Sequence, residues 1–268
     1  MRNKKIISNI IIYSFAFFFL FPIIILCLWS FAKNWSWPLV IPKEFGLRGL
    51  KYALDTKSKN LSILFKSIGI STIVTFITII ISIPAAKALG IYNFKGKNFI
   101  KILIFSPIIV PGISVALGTH VSFLKLGLAN TILGVIIIHL IPCIPYAVFM
   151  LTDVFEIIGD KMEKQAKVLG ANRYQCFFYV TLPLISSGIM SAAFMTFIIS
   201  FSQYFLTFLI GGGQVITYPI VMFPFIQSGD RTIASSFSLI FIITSLIYLL
   251  IINKCIKSYY KTDKFLNV

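Results

Sequence analysis

A chain of 268 residues is long enough for one large soluble domain, but 58% hydrophobic residues and a mean hydropathy of +0.94 exclude that class. The formal charge is +16, yet many of the 24 Lys and Arg flank apolar runs and they form no single patch interleaved with aromatics, which excludes a nucleic-acid-binding module. Four cysteines without CxxC spacing offer neither a disulfide framework nor a metal site.

Six uncharged apolar runs are each long enough to cross about 30 Å of hydrocarbon, which takes roughly 20 helical residues. They cover 6–32, 67–86, 102–124, 126–152, 184–211 and 232–253. The expected fold is therefore an all-α membrane protein with six transmembrane helices in one domain, 1–268. The first run follows Arg2, Lys4 and Lys5 but is far longer than a signal h-region. No small-x-small cleavage site follows within 28–38, so a retained anchor is expected. Trp35, Trp37 and Pro38 then mark an interfacial belt, followed by a loop with a short surface helix around 47–55.

The second run ends near 84–89, and 90–101 is a basic turn. The third run holds Pro107 and the pair Pro111-Gly112, which bend a helix either to line a pathway or to pack. The turn at 125–130 is short, so the third and fourth runs pair antiparallel, and Pro142 and Pro145 bend the fourth. The fifth begins at Pro183, where a first-turn proline sacrifices no hydrogen bond, and ends at Gly211-Gly212-Gly213. The stretch 215–226, interrupted by Pro219 and Pro224, is too short to cross and is read as dipping toward the outer mouth.

Fifteen of the 24 basic residues lie before the first run and after the second, fourth and sixth. The positive-inside bias places those segments, and both termini, in the cytoplasm. The loop 33–66, with seven basic residues, is the exception that this topology leaves outside.

No run holds an Asp, Glu, Lys or Arg away from its ends. A charge at mid-bilayer costs roughly 2.5–3.5 kcal/mol and is kept only for a task. No proton or sodium relay is therefore visible, and no P-loop or nucleophile–base pair either, so no enzymatic activity and no cofactor are expected. His120 and His139, with no carboxylate beside them, read as satisfied packing residues rather than a metal site. Ser200, Ser202, Gln203, Tyr204 and Thr207 make the fifth run unusually polar. Interhelical hydrogen bonding explains Ser and Thr. The bulkier amide of Gln203 leaves Ser200, Gln203, Tyr204 and Thr207 as candidate pore-lining residues.

Between the fourth and fifth runs lies a polar island, 153–183. Met162, Ala166 and Leu169 recur at helical spacing, and Asp160–Lys164 and Glu163–Lys167 are favourable i,i+4 pairs. Gly170 permits a change of direction, and Asn172 suits the start of a further helix. Such a helix either lodges in a partner's groove or lies along the membrane surface.

The island resembles the EAA loop of permease subunits of binding-protein-dependent ABC importers. That pattern is EAA, three residues, Gly, nine residues and Ile-x-Leu-Pro. Lys164-Gln165-Ala166 aligns with EAA, Gly170 with the Gly, and Val180-Thr181-Leu182-Pro183 with the last element. The departures are Lys164 for Glu, with Glu163 one position early, Gln165 for the first Ala, and Val180 for Ile. The resemblance runs over roughly 67–252.

It implies a type I (MetI-like) permease in the cell membrane that forms half of a solute pore. It also implies a second, non-identical permease, a solute-binding protein outside and cytoplasmic ATPases that bind the ATP. Coupling to the ATPase would fall to Met162, Glu163, Lys164, Gln165, Ala166, Leu169, Gly170, Val180, Leu182 and Pro183. The stretch 201–225 is similar to the spermidine/putrescine branch, with iron, thiamine and phosphonate importers as related branches. The alternatives are a self-contained channel or secondary carrier, and a non-transport assembly subunit.

Overall fold

The computed structural model describes residues 2–35, 39, 41–55, 57–110 and 112–260. Trp37, Pro38, Pro111, Lys261 and Lys264 lie outside them, and with them part of the expected aromatic belt and of the bend in the third run. Among the described residues every regular element is helical, apart from an isolated antiparallel bridge between Ala32 and Phe45. The first six helices are α1 (Arg2–Ser30), α2 (Arg48–Ala53), α3 (Asn60–Ile91), α4 (Lys97–Ile109), α5 (Gly112–Lys125) and α6 (Ile132–Ile158). The polar island forms α7 (Lys161–Val168), α8 (Arg173–Gln175), a π-helical segment Cys176–Thr181 and α9 (Leu182–Leu184). They are followed by α10 (Ser186–Phe201), α11 (Phe205–Gly211), α12 (Tyr218–Ser228) and α13 (Arg231–Tyr260).

Helices α1, α3, α6 and α13 each contain a stretch long and apolar enough to cross a membrane alone. Two bent pairs make up to six: α4 with α5 at 100°, and Arg173–Leu184 with α10 at 69°. Several boundaries differ from the sequence reading. Helix α3 starts seven residues before 67 and runs past Pro84 to Ile91. Helix α6 starts at Ile132 because the Thr131 hydroxyl accepts from the Gly134 amide at 3.0 Å, an N-cap that ends the preceding turn. It then continues to Ile158, beyond the apolar run.

The fifth run is not one helix. Helix α10 stops at Phe201, and α11 resumes after Ser202–Tyr204. Nor does it begin at Pro183, because helical structure is already under way from Arg173 and the break falls at Ile185. A wide π segment just before Pro183 accommodates a residue that offers no amide to the preceding turn.

The chain divides into two compact units, Met1–Ile63 with Val221–Thr244, and Leu64–Ile220 with Ser245–Val268. In the first, Tyr52 meets Phe225 edge-on at 5.2 Å, and Phe225 stacks on Phe237 at 5.8 Å. Contacts of this kind contribute about 0.5–1.5 kcal/mol each beyond area burial. Arg48 pairs with Asp230, and Lys33 with Glu44 at 2.9 Å, so two cations of the anomalous basic loop carry local counter-charges.

The second unit is built around α6, whose buried face includes Val135, Ile138, Cys143, Ala147, Val148, Leu151 and Phe155. Three apolar clusters run along it. At Gly90 of α3 a Cβ would come within 2.7 Å of the Phe155 Cβ and 2.9 Å of the Thr152 carbonyl. The absence of a side chain there lets α3 lie directly against the end of α6.

Candidate coupling loop and a histidine-centred polar hub

Helix α7 forms because both charge pairs read from the sequence close. Lys164 meets Asp160 at 2.7 Å and Lys167 meets Glu163 at 3.1 Å. Its C-terminus is a Schellman motif. The Ala171 amide donates to the Ala166 carbonyl and the Gly170 amide to the Lys167 carbonyl, both at 3.0 Å. That geometry requires the left-handed backbone of Gly170, at φ +88°. Two residues on, Asn172 and Gln175 exchange side-chain and backbone bonds at 2.9 Å, a complete capping box opening α8.

Glu163 holds α7 to the membrane-spanning helices. Its side chain is only 16% exposed, accepts from Lys87 of α3 at 2.5 Å, and lies 3.5 Å from the Thr181 hydroxyl of the π segment. Burial pushes its carboxyl up, but Lys87 and Lys167 outweigh that and hold it below the ordinary glutamate range. The hydrogen bond to Glu163 in turn raises the Lys167 ammonium. The bond from Lys164 holds Asp160 low. Lys101 adds a longer link, 3.6 Å from Glu156 at the end of α6.

The expected apolar stripe divides between two sides. Met162 lines a small crevice with Ile91, Phe155, Ile158 and Val180, whereas Leu169 caps the helix and is 88% exposed, as is Val168. Lys164 and Gln165 are exposed, Ala166 is half-buried, and Leu182 packs beside the cluster that contains Phe155 and Ile185.

The candidate pore residues separate in the same way. Ser200 and Thr207 are buried and turned toward His139 of α6, at 3.0 Å from Nδ1 and 2.8 Å from Nε2. Thr207 donates to the Gln203 carbonyl at 3.0 Å, which leaves its oxygen to accept from Nε2. Ser71 of α3 joins the hub at 3.3 Å from Ser200. Gln203 and Tyr204, in the break between α10 and α11, are half-exposed. One imidazole therefore bonds to both sides of that break. A lone histidine in an apolar run was the available clue, since it demands polar partners. His120 differs, with no hydrogen-bond partner at Nδ1 among the described residues.

Beside these sites, Phe76, Ile79 and Ile83 of α3, Phe177, Leu182 and Tyr248 line an apolar groove of about 1020 Å³. No group of three or more His, Cys, Asp or Glu able to hold a metal occurs among the described residues.

The described residues thus form an all-helical chain with four to six candidate membrane spans and a structured polar loop between α6 and α10. Residues 72–256 match the family described as the binding-protein-dependent transport system inner membrane component, and the chain belongs to that family. It is 27% identical over 228 residues to the inner membrane ABC transporter permease protein YcjP of Escherichia coli K12, covering 81% of each chain. It is 33% identical over 137 residues to the molybdate/tungstate transport system permease protein WtpB of Pyrococcus furiosus, covering 51% of this chain and 55% of that one. Its fold is similar to a crystal structure of a bacterial ABC transporter involved in the import of the acidic polysaccharide alginate. The TM-score is 0.66 at 18% identity, over 94% of this chain and 96% of that one. The chain is a membrane-embedded permease subunit of an ABC importer, a family that works with an ATPase and a binding protein.

Proposed function

We propose that the loop 153–183 is where a cytoplasmic ATPase grips this permease, and that the chain forms half of a solute pore with a second, non-identical permease. Both termini then face the cytoplasm, and the solute-binding protein docks on the opposite side. ATP binding in the partner closes the paired ATPases, draws α7 with it and rocks the spans between inward and outward openings. Gln203 and Tyr204 face the solute, while Ser200 and Thr207 shape that wall through His139. The observation that carries this reading is the apolar tip at Val168 and Leu169, exposed beside a rigid left-handed turn and anchored at its base by Glu163. An exposed apolar tip on a fixed helix is what a receiving groove needs.

The solute is assigned by the binding protein. The relative and the structure above carry a molybdate/tungstate and an alginate designation, so one scaffold serves unrelated solutes. The polyamine expectation rests on the 201–225 stretch alone. Identifying the ligand of the co-purifying binding protein among polyamines, phosphonates, iron and thiamine decides it.

The coupling role is tested by Gly170→Leu. A Cβ at residue 170 meets no atom within 4 Å, so the penalty is conformational, about 1–3 kcal/mol for a non-glycine held in the left-handed region. Solute uptake by the whole importer is expected to fall at least about tenfold, the rate equivalent of 1.4 kcal/mol. Wild-type uptake with the ATPase still bound would remove the loop from the coupling path.

A further inference from the structure

We propose that the outer face of this loop fits a cleft with an acidic rim and an apolar floor, which fixes the chemistry of the ATPase surface this permease accepts. The inference rests on the coupling reading above and adds the partner's charge. Around α7 the loop sorts its charges by exposure. Its carboxylates there are the less exposed, Asp160 at 32% and Glu163 at 16%, with Glu163 consumed by Lys87 and Lys167, whereas Asp153 and Glu156 before α7 are exposed. Its cations point outward: Lys161 and Arg173 are exposed, and Lys164 is 71% exposed. Among the described residues no carboxylate lies within ion-pair distance of Lys161 or Arg173.

A purely topological role for these lysines would depend on loop composition alone and would need no such sorting. The cations flank Val168 and Leu169 in the chain, which gives an apolar tip with a positive surround. Its complement is an apolar floor with Asp and Glu at the edge, since rim charges govern partner choice and encounter. Lys164 occupies the position where the EAA pattern has Glu, so this loop and a loop carrying that Glu present opposite charges at one point. Opposite charges there discourage exchange of ATPases between importers.

The test uses the assembled importer in nanodiscs and measures the affinity of the ATPase. The variant Lys161→Glu/Lys164→Glu/Arg173→Glu is compared with the Gln triple variant and with Leu169→Asp. The Glu triple variant is expected to bind about tenfold or more weakly, the Gln variant to fall between, and wild-type binding to weaken from about 0.1 M to about 1 M salt as the Debye length shrinks from about 10 Å to about 3 Å. If binding ignores salt and both triple variants while Leu169→Asp abolishes it, the acidic rim is wrong and the coupling reading stands. If Leu169→Asp has no effect either, the coupling reading itself fails. Unchanged ATPase affinity with lower stability only in anionic nanodiscs would assign the cations to lipid headgroups and overturn the proposal.

Discussion

Glu163 is the residue on which α3, α7 and the π segment converge. Neutralising it leaves Lys87, itself only 21% exposed, without its counter-charge. Removing one partner of a buried pair costs more than removing both. Glu163→Gln is therefore expected to lower the thermal stability of the purified protein more than Lys87→Met/Glu163→Gln does. The pH dependence has a defined sign. The folded-state pKa of Glu163 lies below its ordinary value, so its contribution is fully present at neutral pH and is lost as acidification protonates the carboxylate. Thermal melts between about pH 7 and about pH 4 should decline less steeply in Glu163→Gln than in wild type. The local half of this arrangement was legible in the sequence, because i,i+4 spacing dictates the Glu163–Lys167 pair. The other half was not, since Lys87 is 76 positions away and only the packing of α3 under α7 brings it in.

At the scale of elements, the helix starts and stops of the loop followed from residue chemistry. Asn172 and Gln175 fit a capping box, and Gly170 a left-handed cap. The breaks at Ile185 and at 202–204 did not show, because periodicity in a uniformly apolar run does not distinguish one helix from two. Ser200 and Thr207 read as pore candidates for the same reason, since their partner His139 lies on another helix. Close helix approach gives a sharper prediction. Gly90→Ala forces α3 away from Phe155 and Thr152 and is expected to cost about 1–3 kcal/mol, as overpacking does. Gly69→Ala, on the same helix with nothing within 4 Å of the added methyl, should be neutral or slightly stabilising, and parallel melting curves compare the two.

For the whole molecule, composition alone was enough for the membrane class, while the six expected runs correspond to four single helices and two bent pairs. The division into two units was not visible, because it depends on which helices share a core. The loop 153–183 belongs to the unit that contains the three apolar clusters around α6, and α1 belongs to the other unit. Deleting residues 2–30 is accordingly expected to leave ATPase retention unchanged in a pull-down from membranes, even where uptake is lost. Reconstituted without ATPase and binding protein, the intact chain is expected to accumulate no solute against a gradient. Accumulation by the chain alone would make it a self-powered carrier.

His139 bonds to Ser200 on one side of the break and to Thr207 on the other. A hinge whose two leaves share a single pin cannot open on one side only: bending at Ser202–Tyr204 must draw at least one hydroxyl off the buried ring, and a buried polar group left unpaired is costly. The joint should therefore snap between discrete angles rather than flex smoothly, and His139→Phe, which keeps the ring but loses both bonds, should let it drift.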